Sequence, residues 1–284
     1  MDPINESWDL EIKPQDSVFN LHLKDVWSYR DLLLLLVRRD FVSFYKQTIF
    51  GPLWFFIQPI FTTVIFSIIF NKLANIGTDN APAPLFYMAG NITWNYFSDG
   101  LNKTSTVFRD NANIFGKVYF PRLIMPLSII VSNLVKFGIQ FLLFICYIAF
   151  YVIFENYKIN VNWYILLFPV IMLMMAMLGL GFGLIITALT TKYRDLIFLV
   201  SFGLQLFMYA TPIIYPLSKA LPKYHGIIAY NPLSGLIETF KYGFLGTGHF
   251  YPWIFAYSIV ASIIIFLLGL VVFNRVEKDF VDTI

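Results

Sequence analysis

Residues 163–189 read WYILLFPVIMLMMAMLGLGFGLIITAL, without one charged side chain. A helix crossing the hydrocarbon core of a bilayer needs about 20 mostly apolar residues, so this stretch is long enough to cross alone. Four others pass the same test: Leu53–Phe70, Leu123–Phe154, Leu196–Leu217 and Pro252–Phe273. Leu85–Leu101 is more polar, carrying Asn91, Asn95 and Asp99, and counts as a further span because the charge pattern below requires it. Pro126, near the start of the longest stretch, makes Leu123–Pro126 a cytoplasmic lead-in rather than part of the crossing.

The rest of the chain agrees with this reading. Its 284 residues are 58% hydrophobic, 19% aromatic and only 13% charged, where soluble chains run near 45–50% apolar and about 25% charged. So few charges cannot cover a water-facing surface. Disordered, collagen-like and disulfide-rich classes are excluded, and a net charge of +3 is too small for a nucleic-acid footprint. Cys146 is the single cysteine, which rules out an intrachain disulfide and a cysteine metal cage.

Six spans place both termini on one side, and the Lys/Arg distribution chooses which. With the termini inside, the inner segments 1–52, 103–126, 190–195 and 274–284 hold 14 basic residues. The outer segments 71–84, 155–162 and 215–251 hold 5, and Lys136 lies at membrane depth. Both termini are therefore expected in the cytoplasm. The first twenty residues contain Asp2, Glu6, Asp9, Glu11 and Asp16 and no apolar run, which argues against a cleaved signal. The expected organisation is a cytoplasmic segment 1–52, a transmembrane domain 53–273 and a cytoplasmic tail 274–284.

Outside the spans, Val26, Tyr29, Leu33 and Leu36 recur at helical spacing, with Lys24, Ser28, Asp31 and Arg38 on another side. This predicts an amphipathic helix lying on the cytoplasmic leaflet, with Arg38 and Arg39 at headgroup level. Segment 215–251 contains Pro216, Pro222 and Pro232 and a semi-apolar piece, Leu233–Leu245. Asn231-Pro232 favours a turn, and Ser234 is placed to cap a short helix ending at Gly243 or Gly246. The segment reads either as helices dipping into the outer leaflet around a vestibule or as a surface loop.

No phosphate-binding GxxxxGK[ST] is present: Gly116-Lys117 is followed by Val118, and Asn111 stands where the first glycine belongs. HExxH and CxxC are likewise missing, and the three histidines are scattered. Asn133, Lys136 and Gln140 fall at i, i+3 and i+7 on one face. Lys136 either meets an anionic passenger or snorkels towards the cytoplasm. Asp99 is expected to sit near Lys103 at i+4. Gly179, Gly181 and Gly183 suit close helix packing.

Several segments, taken in order, resemble the polysaccharide-exporting ABC permeases. They are YKQTIFGPLWFFIQP at 45–59, GNITWNYFS at 90–98, KVYFPRLIMP at 117–126, Tyr193-Arg194-Asp195, Asn231-Pro232 and the tail FNRVEKDFVDTI at 273–284. Val281 stands where alanine is common in the family, and Ile49-Phe50 replace the more frequent Val/Leu. The resemblance implies an all-α protein of six transmembrane helices with an N-terminal interfacial helix and short outer gate helices. It would be the permease half of an exporter for lipid-linked O-antigen, capsule or teichoic-acid polymers in the bacterial cytoplasmic (inner) membrane. It would pair with a second copy of itself and two ATP-binding cassette subunits. ATP and Mg would then belong to the partner, and this chain would bind no cofactor and catalyse nothing itself.

The resemblance further implies contact with the ATPase through residues 24–39 and 104–122, hence Arg30, Arg38, Arg39, Arg109, Asp110, Asn111, Lys117 and Arg122. It implies admission of the lipid-diphosphate head group near IFGPLW at 49–54, including Gly51. The channel would be lined by aromatics such as Trp54, Phe55, Trp94, Tyr96 and Phe97, with Lys136 nearby, flat rings permitting sugar surfaces to slide. Tyr215, Pro216, Asn231 and Pro232 would form the outer gate. The rivals are an ABC exporter of small hydrophobic molecules, a membrane-embedded enzyme acting on lipid-linked sugars, and an ion-coupled transporter.

Overall fold

The computed structural model describes residues 23–46, 49–115, 120–190, 193 and 195–281. Among them only helices and their connections occur. Two helices, α1 (Leu23–Ser28) and α2 (Arg30–Lys46), precede a short 3₁₀ turn and α3 (Trp54–Phe66), whose outer end continues as a π-helix through Leu73. There follow α4 (Ala83–Thr104), the short α5 (Val107–Asp110) and α6 (Ala112–Phe115), and the long α7 (Ile124–Phe154). The chain then forms α8 (Phe168–Thr190), α9 (Leu196–Tyr209), α10 (Pro222–Ala229), α11 (Pro232–Leu245) and α12 (Pro252–Val281). Four helical stretches, Gly51–Leu73, Ile124–Phe154, Trp163–Thr190 and Pro252–Arg275, are long and apolar enough to cross a membrane. At 14 residues, α9 is shorter, and α4 is long but polar, as its three Asn/Asp positions foretold.

The centre of the bundle is α8, packed between α4 and α12. Its glycines make this possible. A Cβ on Gly181 would lie 2.8 Å from the Phe266 backbone of α12, and one on Gly183 would lie 2.5 Å from Thr104 of α4. Gly269 answers from α12, where a Cβ would come within 2.5 Å of the Gly181 carbonyl. The packing expected of these glycines is therefore present. Aromatic rings fill the spaces beside it: Phe141, Phe144, Phe168, Phe240 and Phe244 form one cluster joining α7, α8 and α11.

Helix α7 begins at Ile124, with Pro126 in its first turn, where a proline forfeits no helical hydrogen bond. Two expectations need revision. The fifth apolar stretch leaves the helix at Tyr209, and residues 210–216 run as turns. Pro212 disfavours helical backbone at Thr211, and the carbonyls freed there find partners in α11, as described below. The cap of α11 is Asn231, whose Oδ1 accepts from the Leu233 N–H at 3.0 Å. Ser234 instead donates to the Ile228 carbonyl at 2.6 Å. The helix ends on Gly246 at φ +66°, a left-handed position where a Cβ would strike the Asn160 carbonyl. Helix α12 continues past its apolar stretch, Pro252–Arg275, to Val281.

Replacing Gly269 by Ala is expected to cost about 1–3 kcal/mol, because backbone rather than a flexible side chain occupies the space. Gly203→Ala, where nothing lies within 4 Å, should be neutral or stabilising by up to about 1 kcal/mol. Thermal unfolding of the detergent-solubilised protein compares the two; equal effects would contradict this packing.

Candidate functional site

Several polar side chains of the helical bundle meet between α4 and α7. Asn133 and Gln140 turn inward and are buried, as their spacing anticipated. Lys136 donates to Asp99 Oδ2 across the α4–α7 interface at 2.6 Å. Lys103 does not take up Asp99 at i+4 but donates to Asn133 Oδ1 at 3.2 Å. The reason is geometric: α7 packs against this face of α4 and brings opposite charge closer than the next helical turn does. Lys136 thus has an intramolecular counter-ion rather than a snorkelling position.

At one end of the bundle, α2 docks on α7. Leu36 is buried, and Val26, Tyr29 and Leu33 pack against the core, while Trp27, Leu34 and Leu35 stay exposed. Arg30 lies over the Trp27 ring. Arg38 and Arg39 are exposed, Arg39 pairing with its neighbour Asp40 at 2.7 Å. The α4–α7 connection is anchored by Phe108, which stacks on Phe273 of α12 with centroids 5.1 Å apart. Thr190 also donates to the Ser105 carbonyl at 2.6 Å. These anchors hold up an exposed Arg109–Asp110 pair, with Asp110 accepting from Thr106 at 2.6 Å and Asn111 donating to the Val107 carbonyl at 3.0 Å. Arg122 is partly buried at the start of α7, and Lys117 lies outside the described residues.

The aromatics expected along a channel separate into two groups. Phe55 stacks on Phe41 of α2, Tyr96 packs on Phe137, and Phe97 lies against Phe182 and Phe207. All three are buried within the single chain, so their ring faces are occupied by neighbours and are not offered to a passing molecule. Trp94 is also largely covered, by Phe97 and Phe207. Trp54 is 41% exposed and follows Gly51, which holds φ +51° ahead of Pro52. From Trp54 the outward face of α3 continues through Gln58, Phe61 and Ile65.

Elsewhere in the bundle, α10 and α11 form a helix pair, and α11 is buried against α4, α8 and α12. The turn after α9 is bound to it at several points. Asn231 Nδ2 donates to the Ala210 carbonyl at 3.0 Å, and Tyr215 Oη donates back to the Tyr209 carbonyl at 2.9 Å. Pro216 is buried and introduces a 3₁₀ turn at Leu217–Lys219, while Pro232 opens α11. Sequence reading passed over the strongest tie. Glu238 and Lys241, at 7% and 3% exposure, face each other at 3.8 Å one helical turn apart. Lys241 also donates to the Pro212 carbonyl and sits over the Phe86 ring at 3.5 Å. Glu238 accepts from the Leu217 backbone. An acid and a base at i, i+3 inside an otherwise apolar 14-residue helix was the available signal.

A family profile described as ABC-2 type transporter matches residues 31–245. The chain belongs to the ABC-2 type transporter family. Curated relatives include the O-antigen export system permease protein RfbA of Klebsiella pneumoniae, 29% identical over 252 residues, covering 89% of this chain and 94% of that protein. The protein of the same name from Myxococcus xanthus is 28% identical over 221 residues, covering 77% and 82% respectively. Family membership makes this a multi-pass transport subunit of the bacterial cytoplasmic membrane, working with an ATP-binding cassette ATPase.

Replacing Lys136 by Met is expected to destabilise this ABC-2 chain by about 1–3 kcal/mol, since Asp99 is left half-buried without its counter-ion. Adding Asp99→Leu should recover most of that loss. A double-mutant cycle on thermal stability checks the coupling; additive effects would mean that the pair does not hold α4 to α7.

Proposed function

We propose that this chain is the permease half of an ATP-driven exporter that moves a lipid-linked polysaccharide of the O-antigen kind across the cytoplasmic membrane. The names of its relatives support the substrate class. One structural observation carries the rest: α3 and α9 expose polar side chains where a lone helix in lipid would not. Gln58 on α3 and Ser201 and Gln205 on α9 are exposed, and α9 buries no residue of its own. An amide facing hydrocarbon is costly. These faces call for a second copy of the chain and a polar path between the copies.

In this reading the protein has six spans, α4 and α9 included, with both termini in the cytoplasm. Two copies meet along α3 and α9, with Trp54, Gln58 and Phe61 beside the glycan path. Two partner subunits bind ATP and Mg and engage Arg30, Arg38, Arg39, Arg109, Asp110, Asn111, Lys117 and Arg122. Closure of the nucleotide sites moves α2 and the Phe108-anchored connection as rigid pieces and so shifts the spans they pack against. The α10–α11 pair with Tyr215, Pro216, Asn231 and Pro232 forms the outer gate. Exposed, weakly packed helices suit a path that widens and narrows, whereas the glycine-packed α4–α8–α12 core supplies the fixed frame.

Co-expression with its cassette ATPase should yield a complex whose ATP hydrolysis rises with lipid-linked glycan, and deletion of the gene should abolish surface polymer. A complex indifferent to glycan, in cells that keep their polymer without the chain, would overturn the proposal. With Cys146 replaced by Ser, cysteines at Phe61 and Phe202, singly or together, should give oxidative cross-linked dimers on α3 or α9. Monomer only, in membranes, would remove the dimer interface.

A further inference from the structure

A groove of about 420 Å³ opens between α4 and α9. Ser98, Asp99 and Asn102 line it from α4 and Ser201 and Gln205 from α9, with Trp94 towards its outer end. The spacings 94, 98, 102 and 201, 205 each follow one helical face. Ser201 donates to Asn102 Oδ1 at 3.3 Å, linking the two walls. Helix packing does not account for these groups, because Asn102, Ser201 and Gln205 are all exposed.

We infer that this groove is a subsite for neutral, hydroxyl-rich ligand, namely the sugar portion of the passing glycan, with Asp99, Asn102, Ser201 and Gln205 as its hydrogen-bonding groups. The inference rests on the glycan-export reading above and adds where, and by what chemistry, the sugar is held. Three features of the lining decide the class. The charge of Asp99 is neutralised from behind by Lys136, and no cation lines the groove among the described residues. A phosphate or diphosphate would therefore meet a carboxylate and no compensating charge. An apolar passenger would desolvate the exposed Asn102, Ser201 and Gln205 side chains without offering them a hydrogen bond. Sugar hydroxyls, which donate and accept at once, match a wall of carboxylate, amide and hydroxyl groups. The Trp94 ring is already engaged by Phe97 and Phe207, so recognition here falls to hydrogen bonds rather than stacking. Exposed amides and hydroxyls exchange readily with water, which suits a polymer that must advance.

The test uses the complete permease–ATPase complex in lipid nanodiscs, with two probes: a polyprenyl-diphosphate-linked oligosaccharide and the same polyprenyl diphosphate without sugar. The quantity read is the ratio of probe concentrations giving half-maximal stimulation of ATP hydrolysis. Asn102→Ala combined with Gln205→Ala should reduce the preference for the sugar-bearing probe about tenfold, as expected for one or two lost hydrogen bonds. Gln205→Ala alone, which leaves the Asn102–Ser201 link intact, should give part of that change. Leu142→Ala, on α7 and outside the groove, should keep the wild-type ratio. A double variant with the wild-type ratio overturns the subsite and leaves the export reading standing. A wild-type complex responding equally to both probes overturns the export reading itself, and the subsite with it.

Discussion

Everything in this bundle hangs on how closely α8 approaches its two neighbours. Between helices in lipid the hydrophobic effect offers little, since acyl chains are as apolar as leucine, and association rests on contact and on polar groups. Gly181 and Gly269 bring α8 and α12 to backbone contact, and Gly179 and Gly183 do the same against α4. Once these three helices are fixed, α7 can lean on α4, α11 can fill the outer end, and Phe108 can lock onto the inner end of α12. The helices left out of this contact, α3 and α9, expose Gln58, Ser201 and Gln205.

Charge is used sparingly and in pairs. Asp99–Lys136 joins α4 to α7, and Glu238–Lys241 binds the turn after α9 from two sides, at the Pro212 carbonyl and the Leu217 N–H. Water is scarce at this depth, so carbonyls released where α9 stops need donors supplied by the protein. A lysine and an asparagine of the outer segment supply them. The early end of α9 and the burial of α11 are therefore one arrangement.

The sequence made legible what depends on local pattern: the long apolar spans, the apolar face of α2, the packing role of the glycines and the turn at Asn231-Pro232. It showed less of what depends on neighbours. Pro212 and Pro216 mark the segment 210–217 as a place where helix is disfavoured, but the partners that Asn231 and Lys241 offer its carbonyls are distant in sequence. Likewise, Tyr96 and Phe97 resemble any exposed membrane aromatic in a linear reading. Their burial follows from Phe137, Phe182 and Phe207, which are distant in sequence. For Lys136 the spacing identified the face but could not name Asp99 on another helix as its partner.

The shortness of α9 carries one more consequence. Fourteen helical residues rise about 21 Å, well short of a hydrocarbon core about 30 Å thick. Lipid alongside must thin, or polar matter must enter from the ends, to meet such a helix. In the exporter proposed above, the apolar barrier along that line would be thinner than the full hydrocarbon core before any nucleotide is bound.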